Sequence, residues 1–144
     1  MRKKYVKSAV VGLLAGALVG SNAYAGVSQS DSDVKFTKKF IDDSYYTTIT
    51  SGTKIVENSQ LRVKVTEIYD EDGNVKENWN KTIWKVYKSG SRFSDDTPVT
   101  KGTTKKIELD QKVTSSTKLT VKCHGNTEDL DALISGYVYN FYKS

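Results

Sequence analysis

The chain has 144 residues, 37% of them hydrophobic and 27% charged, with a single cysteine and a single proline. That length suits one domain with a core of its own, and the lone Cys123 excludes an intrachain disulfide framework. The formal charge is +5, but the basic residues are unevenly placed, and this decides what the charge means.

Residues 1–25 carry the layout of a cleavable secretory signal. Arg2, Lys3, Lys4 and Lys7 form a basic start, Ala9 to Gly20 an apolar stretch, and Ala23-Tyr24-Ala25 a small-x-small cleavage pattern. The apolar stretch is too short to span a bilayer, which takes about 20 residues. The glycines at 12, 16 and 20 would suit helix pairing in a true span, and in a signal they make a loose apolar segment. Cleavage removes four positive charges and no acidic residue, leaving a net charge of about +1. Nucleic acid and anionic membranes are therefore not expected partners, since both need a basic patch in the mature domain. No stable membrane span is expected after cleavage, and the expected location is extracellular.

Gly26 to Val34 is small and polar and reads as a flexible leader. Residues 35–144 read as one domain dominated by a period of two. Lys35 to Ile41, Tyr45 to Thr50 and Thr53 to Val56 favour strands. Leu61, Val63 and Val65 alternate with polar neighbours, as do Trp84 and Val86, Ile107 and Leu109, and Leu119, Val121 and Cys123, the mark of strands with one buried face. Tyr137 to Tyr142 is apolar on both faces and reads as one central strand. Turns are expected at Ser51-Gly52, Asp72-Gly73 (a type I′ hairpin signal), Ser89-Gly90 and Lys101-Gly102. Pro98 is expected to open a strand or cap a loop. Glu128 to Ile134 is the one segment with helical character, capped by Asn126 or Thr127. The pattern predicts an all-β chain, a small antiparallel β-sandwich of Ig-like or jelly-roll-like type.

No catalytic motif stands out. His124 is the only histidine, so a Ser-His-Asp or Cys-His site would have to use it. Its neighbour Cys123 points to the opposite face of a strand and reads as a small buried hydrophobe. A carboxylate pair for glycoside cleavage could be drawn from Glu67, Asp70, Glu77 or Glu108, and nothing selects two. Asp70, Asp72 and Asn74 place oxygen ligands around Gly73, like part of a calcium loop. The twelve-residue spacing fails, because the glycine comes fourth rather than sixth. A solvated hairpin tip explains the same residues better, so no cofactor is expected, with calcium the one metal this loop could hold.

Aromatic residues carry the best functional signal. Trp79 lies in Glu77-Asn78-Trp79-Asn80-Lys81, where an exposed ring between Asn78 and Asn80 would suit a sugar: ring faces pack on its apolar face while amides take its hydroxyls. The competing reading has Trp79 closing the edge of the core. Trp84, alternating with Val86, reads as core. Tyr45 and Tyr46 offer a second pair, with one ring expected to face outward. The expectation is a secreted, non-enzymatic binding module for a cell-wall polymer, a glycan or a protein. The alternatives are a bacteriocin-like or membrane-active effector and a small extracellular hydrolase.

Overall fold

The computed structural model describes residues 27–29, 33–125 and 131–143. The expected signal and the expected capping residues Asn126 and Thr127 lie outside the described residues. Every strand pairing is antiparallel. The strands are β1 (Val27–Gln29), β2 (Asp33–Ile41), β3 (Thr47–Lys54), β4 (Gln60–Tyr69), β5 (Lys81–Lys88), β6 (Ser91–Arg92), β7 (Thr97–Thr100), β8 (Thr104–Glu108), β9 (Lys118–Gly125), β10 (Ala132–Tyr139) and β11 (Phe141–Lys143). Sheet A has the order β1-β2-β10-β4-β8, and sheet B the order β11-β3-β9-β5-β6, with β7 also paired to β5.

The two sheets share one core. The alternating apolar residues all point inward: Leu61, Val63 and Val65 from sheet A meet Trp84, Val86, Leu119, Val121 and Cys123 from sheet B, each at most 2% exposed. Each such side chain contributes about 1.5–3 kcal/mol by leaving water. Phe36 of sheet A and Trp84 of sheet B bridge the layers, ring centroids 5.8 Å apart. The Trp84 indole donates to Thr82 Oγ1 at 2.8 Å, and Thr82 passes a hydrogen bond to the Val99 carbonyl at 3.2 Å. The buried indole is thus satisfied, as a dry core requires.

Ser135 fixes an irregularity at the centre of sheet A. The ladders from β10 to β2 and to β4 both slip in register here. Opposite it on β2, Lys38 takes φ +48°, and its amide donates to Ser135 Oγ at 2.9 Å. On the β4 side, Thr66 Oγ1 donates to the Ser135 carbonyl at 3.1 Å. Ser135 Oγ thus satisfies the Lys38 amide, and Thr66 Oγ1 the Ser135 carbonyl, where the ladders on both flanks slip. The next residue, Gly136, lies so close to β4 that an added Cβ would sit 1.9 Å from the Lys64 carbonyl oxygen.

Four local expectations are corrected. Ser51-Gly52 is not a turn: both residues lie in β3, which runs unbroken across the two expected pieces because β9 and β11 supply ladders on either side. Asp72-Gly73 is a turn but not type I′, since only Gly73 (φ +89°) has positive φ. The Gly73 amide donates to the Asp70 carbonyl at 3.0 Å and the Asp70 amide to the Asn74 carbonyl at 2.8 Å, the pattern of a three-residue loop ending in a left-handed glycine. Residues 132–134, expected as helical, are strand, because β10 is paired on both sides. Tyr137 to Tyr142 is two strands in different sheets, separated by Asn140 at φ +53°. Val27–Gln29, within the expected leader, pairs with β2. Ser89-Gly90, with φ +52° and +79°, makes the two-residue hairpin between β5 and β6, and Lys101-Gly102 is also a turn. Pro98 is the second residue of β7.

Candidate functional site

The inward positions of sheet B form the core, so their neighbours make one outer face. Register places Ile83 beside both Pro98 and His124, Lys85 beside Lys122, and Tyr87 beside Thr120. Thr120 in turn lies beside Ser51, their hydroxyls 3.1 Å apart. Tyr46, just before β3, folds onto this face.

A connected cluster results. Tyr46 Oη donates to Asp96 Oδ1 at 2.7 Å, and the Lys85 ammonium lies 2.9 Å from the same oxygen. Lys85 Nζ also sits 4.9 Å from the centre of the Tyr46 ring, and Lys122 Nζ 4.7 Å from that of Tyr87. Both are cation–π distances. The Tyr46 ring meets the His124 imidazole edge-on at 4.7 Å. His124 Nδ1 lies 2.6 Å from the Gly125 carbonyl. A carbonyl can only accept, so Nδ1 carries the proton in this bond.

The charges in this cluster are tuned by their contacts. Hydrogen bonds from Lys85 and then Tyr46 hold the Asp96 carboxyl below its usual range. Burial, reinforced by the bond to Asp96, pushes the Tyr46 phenol far above its ordinary value. The Tyr46 phenol therefore stays neutral, with Lys85 against its ring and the Asp96 carboxylate tying the two together.

The expected site residues fall in three places. Tyr46 belongs to the cluster, and Tyr45 beside it is 77% exposed. Trp79 is partly buried and packs against the core, with Lys76 Nζ 5.2 Å from its ring centre. Asn78 and Asn80 are exposed on either side. Ring contacts join Tyr46 to Tyr87 and His124, and among the described residues none joins Trp79 to Tyr45 or Tyr46. Asp70 Oδ1 accepts from the amides of Asp72 and Asn74 at 3.0 and 2.9 Å. These bonds, the Asn74 amide's first, keep the Asp70 carboxyl below its usual range, so it acts as the clasp of its own turn.

Sequence reasoning missed Lys85, Tyr87, Asp96 and Lys122. It also missed a carboxylate group nearby: Asp42 and Asp43, in the same β2–β3 connection as Tyr45 and Tyr46, and Asp131, just before β10, whose oxygens lie within 4.8 Å of one another. Here too local bonds explain the geometry. Asp42 Oδ1 accepts from the Ser44 and Tyr45 amides at 2.8 and 2.9 Å, and Asp131 Oδ1 from the Asp43 amide at 3.1 Å. Cys123 is fully buried on the core side of β9, and burial raises its thiol pKa. It faces away from the imidazole of His124.

No protein family, no curated protein and no solved structure matches the chain.

Proposed function

We propose that the chain is a secreted, non-enzymatic binding module that recognises a cell-surface polysaccharide on the outer face of sheet B. The observation that carries this reading is the clustering of Tyr46, Tyr87, Lys85, Lys122 and His124 on one side of three neighbouring strands. Ring faces and lysine stems offer apolar contact to a sugar ring, while ammonium and carboxylate groups take its hydroxyls. Lys85 and Asp96 hold the rings in position before a ligand arrives, which lowers the cost of ordering them on binding.

Two further observations support it. Residues 1–25 have the layout of a secretory signal, which would direct the chain out of the cell. The eight principal strands, in the orders β2-β10-β4-β8 and β3-β9-β5-β7, follow the pattern of a jelly roll, an architecture that includes lectin domains. That second support is an analogy of fold, since function resides in the site.

Co-sedimentation of residues 26–144 with insoluble cell-wall polysaccharide tests the proposal, with Tyr87→Ala and Trp79→Ala run beside it and circular dichroism confirming that each is folded. Pelleting that Tyr87→Ala abolishes and Trp79→Ala spares supports the sheet B face. Loss with Trp79→Ala alone moves the site to Asn78-Trp79-Asn80. If the native domain stays in the supernatant, the polysaccharide reading fails, and protein partners or membrane leakage take its place.

A further inference from the structure

A second feature lies at the end of the sandwich where β10 passes over to β11. A cleft of about 250 Å³ is lined by Lys54, Asn58, Gln60, Arg62, Tyr139 and Asn140, together with Val56. Lys54 is the last residue of β3 and only 2% exposed. Its ammonium donates to the Val56 carbonyl and to Asn58 Oδ1. These bonds use two of its three N–H donors. Among the described residues no carboxylate forms an ion pair with it, and burial lowers its pKa.

Arg62 stands on the other wall. Its guanidinium lies 5.3 Å from the centre of the Tyr139 ring, and no ion pair holds it among the described residues. Two carboxylates bond to lining residues: Glu108 accepts from Gln60 Nε2 at 3.2 Å, and Asp33 from the Asn140 amide at 3.0 Å. Neither lines the cleft. The result is a small concavity holding two cations and three carboxamide residues, with no anion among the groups that form it.

Such an arrangement costs folding free energy, because a buried ammonium that meets only carbonyl oxygens lacks the counter-charge that would offset its lost hydration. We propose that the cleft is an oxyanion site, taking one carboxylate, sulfate or phosphate group of a small ligand, with Lys54 as the deep contact and Arg62 as the outer clamp. The third Lys54 N–H and the planar guanidinium fork supply charge-assisted hydrogen bonds. The volume lies below the range of about 300–1,000 Å³ usual for drug-sized ligands. It therefore selects a single charged group or one acidic sugar. This site does not rest on the polysaccharide face: Tyr87→Ala leaves it intact, so the two proposals fail separately.

The test is calorimetric titration of the mature protein with sulfate, phosphate, acetate and glucuronate at low and constant ionic strength, with glucose as the neutral control. Saturable binding of at least one anion is expected, and the arms identify which group is preferred. Arg62→Gln changes an exposed side chain and should weaken binding about tenfold, the loss of one charge-assisted contact, with an unchanged melting temperature. Lys54→Met should abolish it in a folded protein. No saturable binding by any of the four anions, or affinity unchanged by Arg62→Gln, overturns the proposal even if Lys54→Met fails to fold.

Discussion

Tyr46 and Asp96 are fifty residues apart in the chain, yet the phenol donates to the carboxylate at 2.7 Å and ties the approach to β3 to the approach to β7. Lys85 approaches the same oxygen from β5 at 2.9 Å. The carboxylate therefore joins a loop on each side to a strand between them.

This junction gives stability a defined pH dependence. The folded Asp96 carboxyl titrates below its ordinary value of 3.8, first because of Lys85 and then because of Tyr46. In the window between the two values the unfolded chain binds the proton and the folded one does not, so stability falls as pH falls. The contribution is fully present above about pH 4 and is lost through the folded value below it. Asp96→Asn should flatten this part of the profile. Urea midpoints measured from pH 7 to pH 2 check it, and an unchanged acid slope in the variant refutes the assignment.

Gly136→Ala should be among the most damaging single substitutions. The new methyl would meet the Lys64 carbonyl oxygen at 1.9 Å and Phe36 Cζ at 2.8 Å. Backbone cannot yield as a flexible side-chain tip can, so β10 and β4 must move apart. The expected loss is about 3 kcal/mol or more, read as a lowered urea midpoint.

Thr50→Val should do the opposite. Thr50 is 4% exposed, and among the described residues its Oγ1 has no hydrogen-bond partner. It sits at the slip in the β3–β9 ladder between Thr48 and Thr50. Valine keeps the shape and β-branching while removing a buried polar atom, so stability should hold or rise by about 1 kcal/mol. A clear fall in melting temperature would show that the hydroxyl has a partner.

The sequence makes the core legible wherever a strand keeps strict alternation. Leu61, Val63 and Val65, like Leu119, Val121 and Cys123, point inward as their spacing requires. Local dipeptides mislead where tertiary pairing overrules them. Ser51-Gly52 has turn chemistry, but ladders on both sides hold it extended. At Asn140, one residue at φ +53° carries the chain between sheets with no pattern to announce it. The site was half legible for a similar reason. Alternation already puts Lys85 and Tyr87 on the face opposite Trp84 and Val86. That β5 lies beside β9, and β9 beside β3, is a long-range relation, so Lys122, His124 and Tyr46 could not be joined to them from spacing.

The position of β10 has a consequence for how the molecule is made. It is the middle strand of sheet A, paired with β2 from Ala132↔Ile41 to Tyr139↔Asp33 and with β4 on its other side. A growing or threading chain has β2 and β4 in hand early, but no strand to set between them until nearly all the residues have arrived. Closing loops of that length is entropically slow, and sandwiches dominated by such pairings fold in about milliseconds to seconds. Until β10 arrives, β2 and β4 lack the strand that joins them into sheet A. Folding is thereby deferred until the last strands have emerged.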